Sequence, residues 1–558
     1  MLRRRDSADP VAPEGGSALT LLVTFAVALV VAYPACVLLL RSFFDDAGHL
    51  TVRNWWHLLS STAVQLDLAR TVAMAACAAL LGTFVGLAMA AMSVRTDFAG
   101  RWLLRIAAIG PAITSQTLTA TAWVIIADPG NGWLNSALRM AGLGITADVF
   151  TPAGLTLVMA LLCLPVAFLI GESLLSTADG SREESARICG AGRGRVWFRI
   201  VLPLIAPGAA ALFLVCFAQC AIMFSAHAAI GMPASIGLLT TRLYTESVLG
   251  LVPKGQVAAT GGLLVVLAVV ALSIQYKLAK PSSTYAAARV NPPARRRLRG
   301  FEACLATGAA FAALGLLLVL PIATLGVRSL WPFGPWMGGT PSLEAYARVL
   351  GEPALLRGLA YSTCIGAGVA LLTACVAFYA VRASALLRHR MGPALHGISV
   401  LPLGLSGLVI GSAYLIAFAG FPASLQDPLV LLVFALTARE LPVAYKASEL
   451  GFAAVHRDLV LQARVCGAGV GLLSRRIVLP LVKPTLAGGM VVVFLAAFRE
   501  IEISSLLSSL HRESFGYNVF SLLQGGRYQD LGAMAILGLC VCLIVTLPLG
   551  WLARRRSF

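Results

Sequence analysis

Long apolar runs separated by short polar segments recur along the whole chain. A helix that crosses a bilayer needs about 20 apolar residues, and twelve runs reach or approach that length. Six lie near 17–40, 68–93, 102–127, 151–175, 203–229 and 256–277. Six more lie near 302–327, 358–381, 393–419, 427–448, 480–507 and 531–552. The first run is too long for a signal-peptide core and shows no clear small-residue cleavage site, so it reads as a retained span. The pattern predicts an all-α polytopic membrane protein with about twelve transmembrane helices.

Composition narrows the class. Hydrophobic types make up 58% of the 558 residues and charged types 12%, where a soluble chain carries about 25% charged. Mean hydropathy is +0.85. A disordered chain, a collagen and a soluble enzyme on a single anchor are excluded. The net charge of +18 raises nucleic acid as a partner, but the basic residues form no single face. They gather in alternate loops: Arg3–Arg5, Arg95 and Arg101, residues 182–199, 277–299, 382–390, 446–476 and Arg554–Arg556. That is the positive-inside signature. It predicts cytoplasmic termini and no nucleic-acid partner. The twelve cysteines lie mostly in apolar runs without a C-x-x-C pair and read as small buried hydrophobes.

The chain repeats itself. Residues 186–207, ARICGAGRGRVWFRIVLPLIAP, and 463–484, ARVCGAGVGLLSRRIVLPLVKP, are identical at 14 of 22 positions, at an offset of 277. Leu164-Pro165-Val166-Ala167 matches Leu441-Pro442-Val443-Ala444, and Glu172 matches Glu449. Pro111-x-x-x-Ser115 matches Pro402-x-x-x-Ser406 at an offset of 291, so the first half carries about fourteen extra residues near 128–150. The expected organisation is a six-span half over 1–277, a basic, proline-bearing cytoplasmic linker over 278–300 and a second half over 301–558. With six spans each, the halves enter from the same side, and a parallel duplication implies a pseudo-two-fold axis along the membrane normal.

The strongest self-similarity falls in a loop, about 178–202 and 449–479. Its first copy runs Glu184-Ser185-Ala186, three residues, Gly190, nine residues, Ile200-x-Leu202-Pro203. Its second runs Leu461-Gln462-Ala463, three residues, Gly467, nine residues, Ile477-x-Leu479-Pro480. The residue types predict a short helix broken at Gly190, a second short amphipathic helix toward Ile200, and Pro203 and Pro480 in a first helical turn. An inherited re-entry loop without a partner is the bland alternative; a docking surface better explains why this loop, rather than a span, is so alike in the two copies.

The spacing resembles the signature E-A-A, three residues, G, nine residues, I-x-L-P of ABC importer permeases of the binding-protein-dependent type. The resemblance covers nearly the whole chain. It implies coupling segments at about Glu184–Arg199 and Leu461–Arg476 that dock two cytoplasmic ATP-binding cassette subunits. It also implies an extracytoplasmic solute-binding protein and location in a bacterial inner membrane. The second copy departs at Leu461, where the family has Glu; Asp458 lies nearby. ATP belongs to the partner subunits: none of the five Lys follows a Gly, so the chain has no phosphate-cradling loop, and no cofactor or metal is expected on it. The fused form looks like the group serving ferric iron, with relatives serving 2-aminoethylphosphonate, thiamine, polyamines and other small solutes. Arg499-Glu500-Ile501-Glu502 through Leu507 resembles that group's segment in the eleventh span, with Ile501 and Glu502 where the group often has Leu and Pro. Leu238–Tyr244 also looks like a group feature.

Charges in a span are costly and normally pair or face a cavity. Glu500, twenty residues past Pro480, should sit about 30 Å along a helix, near the external end, with Arg499 and Glu502. Arg439 and Glu440 lie deeper, in the tenth span. The equivalent first-half residues are Met223, Ser225, Leu162 and Cys163, so the charges occupy one half only. A pathway role fits all five residues; so does an interfacial cluster that meets water at the helix end for Arg499, Glu500 and Glu502, and an internal ion pair that locks helix packing for Arg439 and Glu440. An ion-coupled secondary transporter using Arg439, Glu440 and Glu500 is the rival function; the doubled loop argues against it. A membrane enzyme has no nucleophile–base pair or metal motif to support it.

Overall fold

Proline places the irregularities of this helical molecule. In a computed structural model, residues 17–176, 180–250, 252–283, 295–332, 340–386, 392–422, 426–508 and 513–554 are described. Among the described residues ten helices are long and apolar enough to span a membrane: α1 Leu21–Arg41, α2 Thr62–Arg95, α3 Pro152–Ser176, α4 Gly194–Ile222, α5 Lys254–Leu278, α6 Phe301–Leu330, α7 Pro353–Ala383, α8 Pro428–Ala453, α9 Gly471–Phe498 and α10 Tyr528–Pro548. The fold is all-α and polytopic, as expected.

Among the described residues these ten spans, with one sharply bent helix pair as an eleventh, agree with the expected count of about twelve. The third run of each half is the one that does not form a straight span. Near 102–127 the chain forms Arg101–Ile109, a 3-10 turn Gly110–Ala112, and Gln116–Ala127. Near 393–419 it forms Gly392–Val400, a 3-10 turn Leu401–Gly404, and Gly407–Ala417, the two arms bent by 113°. The cause is the shared Pro-x-x-x-Ser. Pro111 and Pro402 sit inside the tight turns, and Ser115 and Ser406 are extended N-cap residues with ψ of 143° and 156°. Ser406 accepts the Val409 N–H at 3.1 Å, the ordinary way to satisfy a helix start. Hydropathy averaged along a run does not register such a corner.

The five prolines that follow a π-turn share another rule. The π-turns Ala28–Ala32, Trp197–Val201, His227–Gly231, Gly315–Val319 and Ser474–Val478 each end two residues before a proline: Pro34, Pro203, Pro233, Pro321 and Pro480. A proline inside a helix lacks its N–H and crowds the carbonyl four residues back; one widened turn relieves both. Pro203 and Pro480 stand in the first turn of the α-helices Leu202–Ile222 and Leu479–Phe498, as expected, but each helix is entered from a π-turn rather than from a loop. Helical torsions run through Val196 and Val201, so the amphipathic stretch and the span form one continuous helix.

The duplication extends to element boundaries. Thr62–Arg95 and Pro353–Leu386 are both 34 residues long, at an offset of 291. Gly180–Ile188 and Arg457–Val465, and the π-turns Trp197–Val201 and Ser474–Val478, keep the offset of 277. The extra residues of the first half include the helix Trp133–Met140.

Packing divides the chain into two units. One takes the described residues of Met1–Leu40, Ala354–Tyr517 and Cys540–Phe558; the other takes Arg41–Pro353 and Asn518–Leu539. The first span of each sequence half thus packs in the unit built mostly from the other half. In the first unit, Ala374 and Phe378 of α7 pack with Leu473, Val478, Val482 and Leu486 of α9. In the second, Met89, Ala90 and Val94 of α2, Leu164 and Phe168 of α3, and Ala306 and Ala310 of α6 surround Leu103, Leu104, Ala107 and Ala108.

Candidate functional site

The repeated loop has one backbone design in both copies. Gly190 has φ 79° and Gly467 φ 80°, the left-handed region that glycine enters without a Cβ penalty. The N–H of Gly190 donates to Arg187 O at 3.0 Å and that of Ala191 to Ala186 O at 2.9 Å. The N–H of Gly467 donates to Arg464 O at 2.9 Å and that of Ala468 to Ala463 O at 2.9 Å. This pair of bonds is the Schellman helix stop. Ala186 or Ala463 supplies its outer carbonyl and the glycine its turn, which gives the three-residue gap a physical reason.

Glu184 is exposed, Ala186 and Ala463 are half-buried, and Gly190 and Gly467 stand at exposed corners. Ile200 and Ile477 are half-buried, with Pro203 and Pro480 exposed on the helix beyond. Next to each corner is an apolar side chain out in the open: Ile188 is 81% exposed and, 277 residues on, Val465 is 88% exposed. The two polar loops thus carry equivalent exposed hydrophobes.

The intramembrane charges come together, but not inside the eleventh span. α9 ends at Phe498 with Arg499 as its C-cap, and Glu502–Leu507 is a separate short helix. Glu500 is in the break. Its Oε1 accepts the N–H of Ile503 at 2.7 Å and its Oε2 the N–H of Ser504 at 3.0 Å. Glu502 Oε2 accepts the N–H of Gly407 at 2.7 Å, at the start of the second arm of the bent pair. Each carboxylate thus sits at a helix N-terminus, where the backbone dipoles favour negative charge. One guanidinium bridges them: Arg439 Nη1 is 2.9 Å from Glu500 Oε1 and 3.0 Å from Glu502 Oε2, and Arg439 Nε is 3.9 Å from Glu440 Oε1. A Cβ on Gly407 would fall 1.9 Å from Arg439 Nη1, so only glycine fits beneath the bridge.

Four ion-paired groups were not expected from the sequence. Arg105 Nε donates to Glu172 at 2.9 Å, and His396 Nδ1 lies 3.1 Å from Glu449. Arg105 and His396 are related by 291, and Glu172 and Glu449 by 277. The matched glutamates were noticed; their partners needed the second offset. Arg242 binds Asp67 at 2.7 Å and lies 3.7 Å from Glu246, to which Thr260 Oγ1 donates at 2.7 Å. The fourth, Arg95 with Glu183, joins residues 88 apart. Among the described residues no group of three or more His, Cys, Asp or Glu is arranged to hold a metal ion.

Two copies of a glycine-cornered loop thus stand on a many-spanned helical body. Residues 358–557 match the family described as binding-protein-dependent transport system inner membrane component. The chain is similar to the putative ferric transport system permease protein FbpB 1 of Haemophilus influenzae, 20% identical over 84% of this chain and 74% of that protein. It is similar to the ferric transport system permease protein FbpB of Actinobacillus pleuropneumoniae, 21% identical over 94% of this chain and 76% of that protein. A crystal structure of a bacterial ABC transporter involved in import of the acidic polysaccharide alginate aligns with 47% of this chain and 94% of that chain, at 18% identity and a TM-score of 0.40.

Proposed function

We propose that this permease forms the substrate pathway of an ATP-driven importer for ferric iron. Two ATP-binding cassette subunits dock on the loops cornered at Gly190 and Gly467, and an extracytoplasmic binding protein delivers the substrate. Both termini are cytoplasmic. ATP is hydrolysed by the partner subunits, and this chain binds no cofactor. The observation that carries the docking role is the doubled Schellman corner with its exposed tip, Ile188 or Val465. Iron rests on the names of relatives aligned over most of the chain.

In this reading the Arg439 cluster is an anchor rather than a substrate ligand. Glu500 and Glu502 already accept backbone N–H groups and share one guanidinium, and a permease must release what it carries.

Uptake of labelled ferric iron in cells lacking the protein, with and without its restoration, tests the substrate. Thiamine and 2-aminoethylphosphonate are measured in parallel. The expected result is a loss of iron uptake alone, restored by the intact chain and not by a Gly190→Val/Gly467→Val variant. Unchanged iron uptake with loss of another solute reassigns the substrate and leaves the permease role intact.

A further inference from the structure

The first loop holds an anchor that its copy lacks. Glu183 stands one position before Glu184 and is buried, its side chain 9% exposed. Its carboxylate accepts from Arg95 Nη1, and Arg187 Nη2 lies 3.6 Å away. Arg95 is the last residue of α2, and its guanidinium carbon lies 5.8 Å from the ring centre of Trp197, within cation–π range. One cation therefore grips both arms of the corner: the helix Gly180–Ile188 before Gly190, and the π-turn Trp197–Val201 after it.

The copy uses different chemistry at the same positions. At an offset of 277, Glu183 becomes Val460 and Trp197 becomes Ser474; at 291, Arg95 becomes Leu386. Val460 and Ala463 pack instead against a core of Phe378, Leu473 and Val478, flanked by Phe452 and Ile477. The backbone corner is the same, but one copy is held by charge and the other by apolar packing. Arg95 Nε and Nη2 are buried without a hydrogen-bond partner among the described residues. Glu183 and the Trp197 face thus carry the compensation of this guanidinium, and Arg95 responds strongly to their loss.

We propose that Arg95 is the positioning residue of the first coupling loop: it fixes the angle at Gly190, so that drive through this loop depends on a single charge while drive through the second does not. This rests on the docking role proposed above. The test uses the full chain with its ATP-binding subunits and binding protein in lipid. Uptake per ATP hydrolysed is measured for wild type, Arg95→Met, Glu183→Gln and the charge swap Arg95→Glu/Glu183→Arg. Alkylation of Cys189 and Cys466, exposed residues at the same place in each corner, is read peptide by peptide by mass spectrometry. For Arg95→Met and Glu183→Gln, uptake per ATP should fall about fivefold or more, the lower range of coupling between linked sites. Cys189 should label faster and Cys466 at its wild-type rate, and the charge swap, which restores the ion pair but not the cation over Trp197, should recover both readouts in part. Wild-type coupling and Cys189 labelling in Arg95→Met and Glu183→Gln would overturn the proposal, as would equal changes at both cysteines. If the wild-type ATP-binding subunits protect neither cysteine, the docking role itself fails.

Discussion

The fifth helix of each half breaks at the same place, and the two breaks are held by different means. α4 ends at Ile222 and α9 at Phe498, and each is followed by a short turn, His227–Gly231 or Glu502–Leu507. In the second half the break is charged: Glu500 and Glu502 satisfy two helix starts and Arg439 joins them. In the first half Met223 and Ser225 stand where the glutamates are. The buried His227 instead meets Thr240 through Nδ1 at 2.5 Å, and the charges sit at Arg242 and Glu246 on the next helix, with Asp67 of α2 against Arg242. The backbone break is shared, so it does not depend on the charges. They are a way of satisfying it that one copy uses and the other does without.

The largest break in this comparison should come from Arg439→Met. It leaves Glu500 and Glu502 buried without their cation, and removing one partner of a buried ion pair costs about 3–5 kcal/mol. Thermal unfolding in lipid–detergent mixtures should show a marked drop, and a wild-type melting profile would remove the anchor from the account. Gly407→Ala comes next. Its Cβ has no room beneath Arg439 and Glu502, and overpacking of this kind costs about 1–3 kcal/mol. Its first-half equivalent, Gln116, already carries a side chain, so Gln116→Ala should melt close to wild type. If the two glycine-equivalent positions respond alike, the difference between the breaks is not energetic. His227→Phe should cost about 1 kcal/mol, the worth of one hydrogen bond, and leave the second half unaffected by the same melts.

The smallest effect is a pH slope. Burial raises the carboxyl pKa of Glu246, against the opposing effects of Thr260 and Arg242. The folded chain then holds this proton more readily than the unfolded one. Its contribution to stability is fullest below the unfolded pKa and is lost as pH rises through the folded pKa. Melting temperatures taken from about pH 4 to about pH 7, the span above the ordinary carboxylate value, should show a flatter slope in Glu246→Gln.

The duplication was legible because it is written in residues that set backbone geometry. Gly190, Gly467, Pro203, Pro480 and the Pro-x-x-x-Ser pairs recur at fixed offsets, and the structure repeats its corners and π-turns at the same offsets. The corners within the third runs were not legible, because Leu and Ile flank Pro111 and Pro402 and the run stays apolar through the bend. Arg439, Glu500 and Glu502 stood out as intramembrane charges. That each carboxylate meets a helix start was hidden, since it depends on the stop after Phe498 and on Gly407, 95 residues earlier. Arg95 and Glu183 were hidden for the same reason: each sits in an ordinary polar loop, and only folding brings them together.

The π-turn before Pro203 and Pro480 also acts as a phase setting. One widened turn adds a residue to the helix, and each residue turns a helix face by about 100°. The face that Arg199 or Arg476 presents outside the membrane is thereby rotated against the face its helix presents inside, by an amount the proline fixes. A leucine in place of either proline would let the turn close to α geometry. The coupling segment would keep its sequence and its corner while aiming in another direction, like a key cut correctly and turned a quarter of the way round its shaft.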